Sequence, residues 1–266
     1  MNLFGREIYR VRDAVGWICV FDDGQRRLLA FGNQVEQSCM SLNEPYRLQH
    51  VYTQTMVLAA LFTPQLARAT LLGLGGGSLA RTLLHYFPDC RVTAVELRAQ
   101  VEAVARQFFE LPQDPRLRVV IGDAADYLKR SRKPTDLILA DLYGSEGMDA
   151  RQTHPTFLQQ CRTALSPSGV LAVNLWNNDF RDSITNSATL AEAFDDRVLV
   201  VNVPGGNRIC FAFAGQLPNL KRRVFFEQAQ LLGNRMHIPL LRLARNLWFQ
   251  NTARLQCRQK VGSHAG

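Results

Sequence analysis

The stretch Leu71-Leu72-Gly73-Leu74-Gly75-Gly76-Gly77-Ser78-Leu79-Ala80 reads as the end of a buried strand, a glycine turn and the start of a helix. Glycines at such a turn permit left-handed backbone angles and let a ligand approach the chain closely at the carboxyl edge of a sheet. Outward from it, short apolar runs alternate with amphipathic segments. The pattern predicts strands at 70–74, 91–96, 117–121, 135–141 and 169–175, and helices at about 77–87, 98–110, 124–131 and 155–165. Pro88, Pro112, Pro134 and Pro167 fall in the connections. Buried strands alternating with helices predict an α/β fold whose parallel sheet is covered on both faces.

A helix near 183–194 then leads to apolar runs at 197–203 and 208–214, joined by Pro204-Gly205-Gly206-Asn207. Strands joined by so tight a turn must be antiparallel. A mostly parallel sheet that ends in an antiparallel hairpin is the Rossmann-like class I methyltransferase layout, whereas nicotinamide-binding Rossmann domains lack the final reversal. Ahead of this core, β-type runs at 15–21 and 27–31 flank the turn Asp22-Asp23-Gly24, a third strand is expected at 35–40, and residues 52–62 have helical spacing. The expected organisation is therefore a small N-terminal β-hairpin cap with a linking helix (1–62), a Rossmann-like domain (63–215) and a basic helical C-terminal extension (216–266).

The chain has 266 residues, 47% of them apolar and 20% charged, values ordinary for a globular enzyme and too polar for a membrane protein. Six cysteines stand far apart with no C-x-x-C pair, so no metal site is expected and the thiols read as small buried apolar groups. No apolar run approaches a membrane span and no N-terminal targeting segment is evident, so a cytoplasmic location without membrane attachment is expected. Positive and negative side chains balance over residues 1–215, and the whole excess of +8 lies in the last 51 residues, where Glu227 is the only acid. That extension has apolar residues spaced to pack on its own domain or on a second subunit, and its cations leave contact with an acidic partner such as nucleic acid open.

Three carboxylates mark the ends of successive predicted strands. Glu96 lies 19 residues after Gly77, where a carboxylate can accept hydrogen bonds from both hydroxyls of a ribose. Asp123, followed by Ala124, ends the third strand and is placed to bond an exocyclic adenine amine, or else to cap the next helix. Asp141 ends the fourth. All three converge on one crevice, where the glycine turn Gly73, Gly75, Gly76 and Gly77 would cradle an adenosyl ligand.

The hairpin cap, Tyr52-Thr53-Gln54, the glycine turn, Val95-Glu96, Gly122-Asp123-Ala124 and Asp136-Leu137-Ile138-Leu139-Ala140-Asp141 together resemble the spermidine/spermine synthases over about residues 15–215. The resemblance implies a homo-oligomer, dimer or tetramer. It also implies that decarboxylated S-adenosylmethionine is bound by the glycine turn, Glu96 and Asp123, and that its aminopropyl group passes to a small-molecule amine. An uncharged amine nitrogen must be held in line with the carbon on sulfur, so the acceptor pocket needs acidic groups.

Departures from the family fall in that pocket. Gly76 and Arg98 stand where the family carries acids, Thr53-Gln54 replaces a histidine-glutamate pair, and Asp141-Leu142-Tyr143-Gly144 lacks the second aspartate, the family's base. Glu146 and Asp149 in the following loop are the candidate replacements, with Asp141 positioning the amine. Tyr52, Gln54, Tyr143 and Trp176 of Trp176-Asn177-Asn178 are the expected acceptor-side residues, and His154 lies near the same loop. Three functions stay open: aminopropyl transfer, methyl transfer from S-adenosylmethionine, and non-catalytic adenosyl binding.

Overall fold

A computed structural model of the chain describes residues 4–32, 35–63, 65–176 and 180–256. The expectations that fall on Asn177, Asn178 and Cys257 lie outside the described residues. The N-terminal strands β1 (Arg6–Arg12), β2 (Trp17–Asp22), β3 (Arg26–Phe31) and β4 (Val35–Ser41) form an antiparallel sheet in chain order. Strand β1 was not expected. Its Arg-Glu-Ile-Tyr-Arg-Val-Arg is largely charged, and a register shift between Glu7 and Tyr9 breaks the alternation that would have marked it. One face of this cap, with Ile18, Val20, Leu29, Phe31 and Met40, packs against Val101, Val104 and Phe109.

The linking segment is a short helix α1 (Val51–Met56) that tightens into a 3₁₀ turn over Val57–Phe62, not one continuous helix. Val51, Thr53, Thr55 and Val57 are β-branched, and Thr55 Oγ1 donates to the Val51 carbonyl at 2.8 Å. Both features weaken an α-helix.

The main sheet then forms from β5 (Arg68–Leu72), α2 (Ser78–Tyr86), β6 (Arg91–Glu96), α3 (Ala99–Phe108), β7 (Leu117–Ile121), α4 (Ala124–Arg130) and β8 (Thr135–Ala140). After β8 come a two-residue ladder β9 (Tyr143–Gly144) and β10 (Gly147–Met148), a 3₁₀ turn over Ala150–Thr153, α5 (Pro155–Ala164), β11 (Leu165–Trp176), α6 (Phe180–Ala193), β12 (Val198–Asn202) and β13 (Asn207–Phe213). Spatial order is β12-β13-β11-β8-β5-β6-β7. Strands β11, β8, β5, β6 and β7 pair in parallel, while β13 is antiparallel to β11 and to β12. The α/β class and the closing antiparallel hairpin are as the sequence predicts.

The extension forms α7 (Arg222–Met236), α8 (Leu240–Gln250) and α9 (Thr252–Gln256). Its apolar face, with Phe225, Leu232, Leu240, Leu243, Leu247 and Trp248, is buried in the same cluster as Phe211 of β13 and Leu71 of β5. Asn251 pins it in place: Nδ2 donates to the Val200 carbonyl at 2.8 Å and Oδ1 accepts the Val200 N–H at 2.9 Å. The side chain thus supplies to edge strand β12 the pair of bonds a neighbouring strand would make.

Candidate active site

At the carboxyl edge of the sheet the glycine turn is held from three directions. From β6, the buried Glu96 carboxylate accepts the Leu74 N–H at 3.1 Å and the Arg98 N–H at 2.9 Å. From the cap, Ser38 Oγ accepts the Gly76 N–H at 2.9 Å. From α2, the buried Arg81 guanidinium donates to the Gly76 carbonyl at 2.6 Å, to the Pro45 carbonyl at 3.1 Å and to the Phe109 carbonyl. Gly73 has φ +95°, and a side chain there would strike the Asp141 carbonyl. Burial pushes the Glu96 carboxyl up from its usual value, against the Arg98, Leu74 and Gly75 N–H groups that favour its ionised form. Three N–H donors leave about one of the four lone-pair sites of the carboxylate open, so the group can still accept a ribose hydroxyl.

Gly76 is fixed by space. A Cβ there would stand 3.0 Å from both Phe109 Cδ1 and Ser38 Cβ, so a side chain at this position fits only if those two neighbours shift by a few tenths of an ångström. The Arg98 side chain adds no positive charge to the crevice. Its guanidinium turns to the cap, donating to both Asp13 oxygens at 2.9 and 2.8 Å and to the Gly16 carbonyl at 2.9 Å, with the Phe31 ring 4.5 Å below.

Asp123 caps α4, with Oδ1 accepting the Ala125 and Asp126 N–H groups at 2.9 and 3.0 Å, while Oδ2 pairs with Arg151. Ala124 is buried in the first turn of that helix. Beside these carboxylates Leu97 and Ile121 are 54% and 46% exposed, two large apolar side chains left open at the ends of β6 and β7. Neither stood out in the sequence, because strand ends and loop starts carry no periodic signal.

Asp141 begins a second cluster. Asn174 Nδ2 donates to Asp141 Oδ1 at 2.9 Å, the Asn174 amide is oriented by Asn207 Nδ2 at 3.0 Å, and the Tyr52 hydroxyl donates to Asp141. Tyr143 donates to the Asn174 carbonyl at 3.2 Å, and the fully buried Gln152 spans the Leu142 N–H and carbonyl. Burial pushes the Asp141 carboxyl above the usual carboxylate range, opposed by the Asn174 and Tyr52 bonds. The same burial, with the Asp141 charge next in size, raises Tyr52 and Tyr143. On the far side of Tyr52, the His50 ring stacks at 5.3 Å between centroids and its Nε2 lies 2.7 Å from Glu36 Oε1.

Tyr52, Asp141 and Tyr143 therefore come together as expected residues, while Gln54 does not join them. It is buried and donates to the Leu48 carbonyl at 2.7 Å. Trp176 is 36% exposed at the end of β11, its N–H 3.5 Å from Met148 Sδ. Glu146 is exposed beside Ser145. Asp149 is committed elsewhere: it accepts the Arg151 N–H at 2.9 Å and pairs with the Arg151 guanidinium at 2.6 Å, which holds its pKa below the usual value. His154 caps α5 through a bond from the Thr156 N–H at 3.3 Å.

Sequence reasoning missed Glu36, His50, Asn174, Asn207 and Gln152. Only Asn174 carried a signal, as a lone amide within the apolar run of β11. No group of three or more potential metal ligands occurs among the described residues.

The sequence model of the spermine/spermidine synthase domain matches residues 49–204. A polyamine aminopropyltransferase of Neisseria meningitidis serogroup A is 38% identical over 198 residues, covering 73% of this chain and 74% of that protein. A probable spermidine synthase from Corynebacterium glutamicum superposes with a TM-score of 0.72 at 20% identity, over 88% of this chain and 94% of that one. Human methyltransferase-like protein 13, solved in complex with SAH, superposes at 0.62 with 26% identity, over 72% and 94%. The domain match spans more than half of the sequence, so this chain belongs to the spermine/spermidine synthase family.

Proposed function

We propose that this chain transfers an aminopropyl group from decarboxylated S-adenosylmethionine to a small amine. The observation that carries the reading is Asp141, a partly buried carboxylate with a raised pKa, held by Asn174 and Tyr52 at the end of β8. Such a group both attracts a cationic amine and accepts its proton, which frees the nitrogen lone pair. The sulfonium supplies the activated carbon. Glu96 holds a ribose hydroxyl, Asp123 faces the adenine amine, and Leu97 and Ile121 give the ring apolar contact. Tyr52 and Asn174 fix the Asp141 carboxylate, Tyr143 closes the pocket from the loop after β8, and Trp176 lines its outer side.

Proton acceptance is assigned to Asp141 itself, since Asp149 is tied to Arg151. Glu146 is left as a charge at the mouth. Aminopropyl transfer is favoured over methyl transfer by the segment ahead of the sheet: Tyr52 bonds Asp141, and His50, paired with Glu36 of β4, stacks on Tyr52 from behind.

The test is a product assay by mass spectrometry with putrescine as acceptor. Methylthioadenosine and spermidine are expected from the decarboxylated donor, with loss of product in Asp141→Asn. S-adenosylhomocysteine released from S-adenosylmethionine, with no aminopropyl product, would replace this reading by methyl transfer.

A further inference from the structure

A second concavity lies away from the acceptor pocket, on the α4 face of the sheet toward the amino ends of β5, β6 and β7. The parallel register sets Arg68 beside Arg91, and Thr70 beside Thr93 beside Arg118. Val92 pairs with Leu117, so Arg116 stands next to Arg91. Side chains two apart share a face, which here is that of Leu72 and Val95, packed with Ala124 and Leu128 of α4. Helix α4 covers only the carboxyl half of this face. Below it the three strands floor a groove of about 860 Å³ lined by these arginines and threonines and by Tyr127.

The far wall adds Arg130, Arg132 and Lys133 from the end of α4 and the turn after it. Arg116 is spent on Asp114 and on the carbonyls of Leu84, Phe87 and Pro88. Among the described residues the other six cations have no carboxylate at ion-pair distance, and the hydroxyl of Thr70, which is 6% exposed, bonds no protein group. The acids that border the groove, Asp123 and Asp126, are paired with Arg151 and Lys129. Like charges on adjacent strands destabilise a sheet unless something neutralises them. Strands about 4.8 Å apart spread these cations over about 10 Å, too far for one small anion to meet them all.

We propose that this groove binds the phosphodiester backbone of a single-stranded nucleic acid. The guanidinium forks match phosphate oxygens, the Thr70 and Thr93 hydroxyls add donors at the floor, and the half-buried Tyr127 ring offers a stacking surface for one base. This surface is separate from the basic extension, and its upper rim meets the adenosyl crevice at Ile121 and Asp123.

Fluorescence anisotropy of the full chain with a labelled oligothymidylate of about 15 nucleotides tests it. Four neutralised phosphates give a log–log salt slope of about −2.8, an affinity loss of roughly 50-fold for a fourfold rise in salt. Arg91→Ala/Arg118→Ala should weaken binding at least about tenfold and reduce the slope by about 1.4. The melting temperature of the free protein should be equal or higher, since like charges on neighbouring strands are removed, and Arg91→Lys/Arg118→Lys should retain the salt-dependent binding. Lys221→Ala/Arg222→Ala, in the extension, should bind like the parent. Equal binding by the groove variant, loss confined to the extension variant, or displacement by inorganic triphosphate or poly-glutamate at equal charge would each overturn the proposal.

Discussion

The Arg98–Asp13 pair offers the sharpest quantitative test of how the cap is fastened to the site. The Arg98 side chain is 7% exposed and Asp13 19%, and three side-chain bonds run from one guanidinium to the hairpin. Breaking a buried pair by removing one partner costs about 3–5 kcal/mol, because the survivor's charge stays buried. In Arg98→Met, Asp13 keeps the Val15 and Gly16 N–H bonds and is the less buried partner, so the low end, about 3 kcal/mol, is expected. In Asp13→Ala the guanidinium keeps only the Gly16 carbonyl and the Phe31 ring, so about 4 kcal/mol is expected. The double variant should fall short of the sum by about 2 kcal/mol or more, the signature of contacting residues. Urea unfolding of all four proteins, followed by tryptophan fluorescence, measures the cycle. Two single variants each within about 1 kcal/mol of the parent, with additive effects, would show that Arg98 is a spare charge and not a clamp.

Asp141→Asn should cut turnover by at least about 100-fold while leaving the melting temperature equal or higher. A carboxyl whose pKa is raised on folding holds its proton longer in the native state, so its contribution to stability falls as pH rises through that window. The neutral amide removes the fall, and an intact rate in this variant would refute the assignment. Gly76→Asp, which restores the family's acid by sequence, should instead cost about 1–3 kcal/mol by overpacking against Phe109 and Ser38, and tighter amine binding without destabilisation would show that these two side chains yield. For Asp123 and Asp149 the sign is opposite. Both are lowered, Asp123 by helix N–H groups and Arg151 against the effect of burial, and Asp149 chiefly by Arg151. Their contribution is present above the usual carboxylate range and lost as pH falls through the lowered values. Arg151→Ala should therefore flatten the acid limb of a stability–pH profile, and an unchanged limb would show that Arg151 does not couple Asp123 and Asp149 to stability. Asn251→Ala should cost about 1–3 kcal/mol by leaving the Val200 backbone groups unpaired, checked by the same unfolding assay.

The sheet was legible because its signal is local. Each buried strand, turn and amphipathic helix announces itself within about ten residues, and carboxylates at strand ends fall into one crevice by topology alone. Glu96, Asp123 and Asp141 could therefore be singled out before any coordinates. The direction of a long or flexible side chain is not local. Arg98 follows Glu96 closely in the chain, yet its guanidinium finds Asp13, 85 positions earlier. Asp149 was a plausible base by position, yet Arg151 two residues on takes its carboxylate and carries it toward Asp123.

What the chain order alone determined is the α/β class, the closing hairpin, the glycine turn and the carboxylates that frame it, since hydrophobic period and turn chemistry suffice for these. Tertiary structure decided that Gly76 is crowded by Phe109 and Ser38, that Asn174 and Tyr52 hold Asp141, that His50 and Glu36 stand behind Tyr52, and that arginines of three separate strands share one groove. Each of those depends on distances between residues remote in sequence, which only packing and strand register can set.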